Sequence, residues 1–321
     1  MSVSGAARGV ISAEEIASKF SGGRSVSEVL EGTERDFAIK WREPATEEVE
    51  AWAGAILEKI ADPGSRRSPV LNKKAFDGGW RENYLLAKKQ GVSHHTLKPR
   101  YYRPSKFLRY AGRLAIVDDV DAEWQIFTLI RRVIYRAFLR QFTEVHEFGC
   151  GSCSNLLLFA EMARNQRIRG YDFVASSVEI GRLLQADATQ DVSVELFDMS
   201  APTLNPKIGD GSAVCTIHAM EQLGTSFEPM LQYLLHSGAE LVVQLEPILD
   251  FYDLATLYDF LSAQYCIRRG YLSGYLGRLR ELESAGELEV IECRRTAIGG
   301  PVHEASSLIV WRPCPKTRRP S

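Results

Sequence analysis

The stretch Val145-His146-Glu147-Phe148-Gly149-Cys150-Gly151-Ser152-Cys153-Ser154 constrains this chain more than any other. An apolar, β-prone approach runs into two glycines one residue apart. Asn155-Leu156-Leu157-Leu158-Phe159-Ala160-Glu161-Met162-Ala163 then resumes at helical spacing, so the segment reads as strand, tight turn, helix. Open α/β sheets build nucleotide sites this way. Glycine lets backbone N–H groups approach a ligand with no Cβ between them, and the site lies beyond the carboxyl end of the strand.

The chain after the turn alternates regularly. Strands are expected over 168–173, 192–197, 213–218 and 241–245, with helices over 178–186 and 227–235 between them. Such alternation implies a parallel, doubly wound sheet with right-handed crossovers. A longer helical stretch follows over 252–264 and 272–285. The last strands, 288–293 and 308–311, are joined through Gly299-Gly300-Pro301 with no helix, which makes them antiparallel neighbours. The expected fold class is α/β: a doubly wound, mostly parallel seven-stranded sheet with an antiparallel C-terminal strand pair, preceded by a mainly helical N-terminal segment.

Ahead of the turn, residues 1–12 read as a loose terminus. Helices are expected from Ser12 to Phe20, over 27–34 and over 46–60, each with a capping residue and early acids, and Asp62-Pro63-Gly64-Ser65 ends the third. Between Leu71 and Tyr110 the texture changes. Phe76-Asp77-Gly78-Gly79-Trp80, His94-His95 and Arg100-Tyr101-Tyr102-Arg103 concentrate aromatics, histidines and arginines without clear period. Two readings stand: an aromatic wall over a substrate pocket, or a surface loop cluster anchored by Trp80 and Tyr84. From Asp121 to Arg140 apolar residues recur at Trp124, Phe127, Ile130, Val133 and Ile134, an amphipathic helix whose arginine side reads as solvated. The expected division is 1–120 as a mainly helical substrate or cap region, 121–314 as the sheet domain and 315–321 as a tail.

Composition narrows the partners. With 321 residues and a net charge of −2, no global field favours nucleic acid or an anionic membrane. The apolar runs, such as Leu241-Val242-Val243, are too short for a bilayer, and no basic-then-apolar leader opens the chain, so a cytoplasmic protein is expected. Six cysteines are scattered among candidate strands and helices, as buried thiols would be. Only Cys150 and Cys153 form a C-x-x-C pair. No second pair and no H-x-x-x-H accompanies it, so no metal is expected.

Three ligands compete for the turn. A dinucleotide fingerprint needs G-x-G-x-x-G/A, and here Ser154 holds the third position. A thiol oxidoreductase would use Cys150 and Cys153 before a helix, but that small fold leaves four further strand–helix units unexplained. The third candidate covers more of the chain. Glu147-Phe148-Gly149-Cys150-Gly151, Gly170-Tyr171-Asp172-Phe173, Phe197-Asp198-Met199 and Ile217-His218-Ala219-Met220-Glu221 together resemble, over about residues 130–313, the motif series of class I S-adenosylmethionine-dependent methyltransferases. S-adenosylmethionine has a cationic amino end, two ribose hydroxyls and an adenine, and no pyrophosphate. A carboxylate two residues before the first glycine suits it better than a dinucleotide.

The resemblance implies that Glu147 faces the amino end, and that Gly149 and Gly151 let the cofactor lie against the turn. It implies that Asp172 accepts the ribose hydroxyls, while Asp198 and the Met199 backbone take the adenine edge. The departure is Cys153, where the family often has a third glycine. Methyl transfer is an in-line displacement, helped by a general base when the acceptor is a hydroxyl. His218 is the first candidate base, and also a candidate wall of the cofactor pocket. Glu246 is the second candidate base, while Glu221 could orient His218, contact substrate or cap the next helix, and Glu246, Asp250 and Asp253 could alternatively hold a divalent cation. The expected activity is methylation of a small polar molecule, with a sugar or natural-product hydroxyl favoured, a homodimer left open, and neither nucleic acid nor membrane as partner. The alternatives are a non-catalytic binding or scaffold protein on the same fold, or a NAD-dependent or thiol oxidoreductase.

Overall fold

Two sheets organise the chain in the computed structural model, which describes residues 7–65, 69–203 and 206–314. The expected tail 315–321 and residues 1–6 lie outside the described residues. The first part runs Arg8–Ser12 (β1), Ala13–Phe20 (α1), Val26–Val29 (α2), Ala38–Arg42 (β2), Thr46–Ala61 (α3), Pro69–Gln90 (α4), Phe107–Tyr110 (β3) and Arg113–Val117 (β4). Ala122–Ile134 (α5) leads into Glu144–Phe148 (β5), Ser154–Met162 (α6), Arg167–Asp172 (β6), Ala175–Asp187 (α7), Asp191–Leu196 (β7) and Ser212–Ile217 (β8). Glu228–His236 (α8), Leu241–Glu246 (β9), Leu257–Arg269 (α9), Tyr275–Ser284 (α10), Leu288–Arg294 (β10), Ile298–Gly299 (β11) and Ser307–Pro313 (β12) complete it.

The larger sheet has seven strands in the order β10-β12-β9-β8-β5-β6-β7. β9, β8, β5, β6 and β7 are parallel, and β12 runs antiparallel between β9 and β10. This is the α/β sheet that the alternation and the terminal strand pair imply, and the class I methyltransferase fold of the resemblance. The chain moves outward from β5 through β6 to β7, then returns to place β8 on the other side of β5. The strand order therefore reverses at β5, where open α/β sheets bind ligands. β5 is buried on both faces, with Val145 in one apolar cluster and Phe148 in the other, as a central parallel strand must be.

The N-terminal part is mainly helical, yet it also supplies four short strands. β1, β2, β4 and β3 form an antiparallel sheet, and β11, from the connection between β10 and β12, adds its fifth strand. The Gly299-Gly300-Pro301 connection is thus tied down by pairing to β3. Residues 8–12, expected as loose, form β1, because Val10 and Ile11 pair with Lys40 and Ile39 across a strand pair that no local pattern announces.

Local signals set most helix ends. Ser12 Oγ accepts the Glu15 N–H at 3.2 Å and starts α1, and Thr256 does the same for α9, which therefore begins at Leu257 rather than near 252. The expected 27–34 helix breaks after Val29 and resumes as a 3-10 turn at Gly32, whose φ is +54°. Past Ile134, α5 relaxes into a π turn over Tyr135–Leu139.

Two expectations are corrected. Of the aromatic stretch, Phe76 to Tyr84 form the middle of α4, whereas His94-His95 and Arg100-Tyr101-Tyr102-Arg103 lie in the turns and loop over 91–106. Phe76, Trp80, Tyr84 and Ala87 do recur at helical spacing, and the Gly78-Gly79 pair hides it. The arginine side of α5 is not simply solvated: Arg131 and the following Arg136 are each only 4% exposed. Arg131 donates to Asn155 Oδ1 at 2.7 Å, and Arg136 donates to the Val29 carbonyl at 2.9 Å and pairs with Glu34. Buried guanidinium groups persist only where their N–H groups find such acceptors.

Candidate functional site

The turn after β5 has the geometry that its glycines allow. Gly149 has φ +76°, and a Cβ there would come within 2.4 Å of the Ala219 Cβ. Gly151 has φ +52°, and its N–H donates to Asp172 Oδ2 at 2.8 Å. Cys153, where the family often has glycine, itself takes the left-handed conformation at φ 60°. The departure in sequence leaves the turn intact, at the strain cost of a non-glycine residue in that region.

Cys150 and Cys153 are buried and unbridged. Burial pushes the Cys150 thiol well above its usual value, and the neighbouring Cys153 raises it further. A redox-active cysteine requires the opposite shift.

One cavity opens beyond the C-terminal ends of the parallel strands, and it is lined by Gly149, Asp172, Asp198, Met199 and His218 together with Phe173. These side chains come from the ends of β5, β6, β7 and β8. Asp172 is only 4% exposed, and its oxygens accept the Gly151 N–H and, at 3.2 Å, the Val174 N–H. Burial raises its carboxyl to about 6 in spite of those bonds. Asp198 is exposed, and one oxygen closes its own turn by accepting the Ser200 N–H at 2.9 Å and hydroxyl at 2.6 Å.

Glu147 stands behind the turn, fully buried. Asn155 donates to Oε1, and Arg131 holds Asn155 in turn. Oε2 has no hydrogen-bond partner among the described residues. Burial raises this carboxyl to about 8, outweighing the Asn155 bond and the nearby Arg131 charge. Asn155 and Arg131 were not among the expected site residues. Asn155 is the second residue of the helix after the glycines, and its side chain reaches back to Glu147 in β5.

His218 follows β8 with φ 53°. Its Nδ1 lies 3.5 Å from the Tyr102 hydroxyl and its Nε2 lies 3.2 Å from Ser306 Oγ, while Phe127 meets the ring edge-on at 5.2 Å. Burial lowers its pKa to about 3, helped by the neighbouring His303 and Arg131. The imidazole is therefore neutral and wedged between two hydroxyls.

The two glutamates differ sharply. Glu246 is fully buried, and its oxygens accept the backbone N–H groups of Ala219, Met220 and Glu221 at 3.1 to 3.2 Å. Glu246, expected as a candidate base, anchors the turn after β8. Glu221 projects from that turn. Its Oε1 accepts Gln222 Nε2 at 2.7 Å, and its Oε2 is buried with no hydrogen-bond partner among the described residues. Burial, followed by the Glu246 charge, raises it to about 8, with Arg269 and Tyr271 partly offsetting the effect. Tyr101 and Tyr102 stand close enough to feel its charge. Among the described residues no group of three or more His, Cys, Asp or Glu is placed to hold a metal ion. Asp253, one of the acids considered for a cation, instead closes a turn by accepting the Ala255 N–H at 3.0 Å.

No protein-family model and no curated protein matches the chain. Solved structures do resemble it. The 16S rRNA methylase ArmA shares 10% identity at a TM-score of 0.44, over 73% of this chain and 97% of that one. The pyocyanin biosynthetic protein PhzM shares 13% at 0.42, over 60% of this chain and only 58% of that one. Human N-acetylserotonin methyltransferase in complex with SAM shares 12% at 0.39, over 81% and 70%. At such values the family resemblance rests on this chain's own strand order and motifs. No helix among the described residues is long and apolar enough to cross a membrane.

Proposed function

We propose that this protein is an S-adenosylmethionine-dependent methyltransferase acting on a small polar molecule, with a hydroxyl of a sugar or natural product favoured. The observation that carries the reading is the convergence of Gly149, Asp172, Asp198, Met199 and His218 on one cavity at the point where the strand order reverses. A cytoplasmic setting and a small-molecule partner rather than nucleic acid belong to the same proposal, in keeping with the net charge of −2.

The residues fit the cofactor. The buried Oε2 of Glu147 lacks a partner, which a cationic amino end would satisfy. Asp172 lines the cavity where ribose hydroxyls would lie, and the largely apolar wall of Phe173, Phe197 and Met199 suits an adenine. S-adenosylmethionine, when bound, supplies a methyl group on a sulfonium.

The chain's own contribution is placement and proton handling. Glu221 Oε2 takes the acceptor's proton, its raised affinity for protons matching a base that works near neutral pH. His218, uncharged, forms the wall between cofactor and acceptor, and Tyr101 and Tyr102 border the acceptor side. Calorimetry with S-adenosylmethionine and NAD tests the cofactor: binding of NAD alone would sink the reading. Product mass after incubation with labelled cofactor and cell extract tests the reaction. Cofactor binding without any labelled product across a broad acceptor screen would favour the non-catalytic scaffold.

A further inference from the structure

Helix α4 supplies something the glycine motif does not predict. It packs along α7 and places Phe76 and Trp80 in the wall of the cavity that holds Asp172 and Asp198. Phe76 meets Phe173 edge-on at 5.7 Å, on the side of Asp172. Trp80 lies over the glycine turn itself: a Cβ on Gly151 would fall 2.8 Å from its Cζ2. Gly149 faces the cavity, whereas Gly151 lies beneath the indole.

The helix is held by a latch. The first turn of α7 has no side-chain cap of its own. Asp77 provides one from outside, its Oδ1 accepting the Ser176 N–H at 3.0 Å, and Ser176 Oγ donates to the Asp77 carbonyl at 3.1 Å. Arg81 pairs with Glu179 one turn further along. Between Asp77 and Trp80 lie Gly78 and Gly79, where an added Cβ would meet nothing within 4 Å. No close packing requires glycine at either position, and each weakens a helix interior relative to alanine. The cover is therefore soft between its latch and its indole.

Resting on the methyltransferase reading above, we propose that α4 is a latched cover whose Phe76 and Trp80 contact S-adenosylmethionine. Gly151 lacks a side chain to admit Trp80, whereas a side chain on Gly149 would meet Ala219. Phe76 covers the nucleoside end and Trp80 the amino-acid end. Opening requires release of Asp77 from Ser176.

The test uses the full chain and S-adenosylhomocysteine, which binds without turnover. By calorimetry, Phe76→Ala and Trp80→Ala are each expected to weaken binding about tenfold, and Leu85→Ala, exposed on the same helix, to leave it unchanged. Asp77→Ala is expected to speed both association and dissociation in stopped-flow fluorescence. In the wild-type protein, hydrogen exchange across α4 should slow on addition of S-adenosylhomocysteine, a readout independent of whether any variant folds. Wild-type binding with both aromatic variants within twofold and unchanged α4 exchange would overturn the cover alone. Failure of the wild-type protein to bind overturns the cofactor reading, and this inference with it.

Discussion

Glu246 Oε2 accepts the backbone N–H of Glu221 at 3.2 Å, so one buried carboxylate builds the turn from which the other projects. The pair divides its labour by hydrogen bonding. Glu246 is satisfied by three successive amides, whereas Glu221 keeps one oxygen without a partner.

Glu246→Ala should be costly to stability, since it strands the amides of Ala219, Met220 and Glu221 in a buried turn. A loss of roughly 3 kcal/mol or more is expected in denaturant melts. Glu246→Gln, which keeps an acceptor, should lose less. Equal losses would mean that the amides find other partners.

Glu221→Gln should lower kcat about a hundredfold while leaving cofactor affinity within a few-fold. The wild-type rate should rise with pH towards a limb near 8, because the carboxyl is raised to about 8 and acts once deprotonated. That limb should vanish in the variant. If it survives, the proton goes elsewhere, and His218, lowered to about 3, would not produce a limb in that range.

Glu147 is one of the buried carboxyls that lower stability on the alkaline side. Its carboxyl titrates near 4.5 when free and at about 8 when folded. The folded state therefore holds the proton more tightly, and stability is lost as pH rises from about 4.5 through 8. Glu147→Gln removes this loss. Melting curves of variant and wild type should lie close near pH 5 and separate by a few kcal/mol in the variant's favour by about pH 9. His146, His218 and His303 act in the other direction. Burial lowers them to about 4, 3 and 4, so stability falls as pH drops below about 6.5 in both proteins.

Thiol labelling should separate the cysteines by burial. Cys293 is exposed and Cys314 partly so, and both should react quickly in the native protein. Cys150, Cys153, Cys215 and Cys266 are buried and should react only on unfolding. Fast reaction of Cys150 or Cys153 would return the redox reading of the C-x-x-C pair.

The large sheet was legible because its signals are local. Strand–helix alternation after Gly151 dictates parallel pairing, and each expected strand from 168 onward is found within a few residues of its place. Asp172 could be picked out as a strand-end carboxylate facing the cavity. The β1–β4 sheet was not legible, since its strands are short and pair across intervening helices, with β11 arriving from the far end of the chain. Helix α4 was obscured by two glycines that a helix tolerates only because its neighbours hold it.

By itself, then, the sequence determined the sheet, the turn conformation at Gly149 and Gly151, and which carboxylates stand at strand ends. These follow from the two-residue and 3.6-residue periods and from the backbone freedom of glycine. Only the tertiary structure decided which of those carboxylates are already spent. Glu246 is consumed by amides 25 to 27 residues earlier. Glu147 is braced by Asn155 and Arg131, and Gly151 is covered by Trp80. Hydrogen-bond satisfaction and burial depend on residues brought together by the whole fold, and no local spacing encodes them.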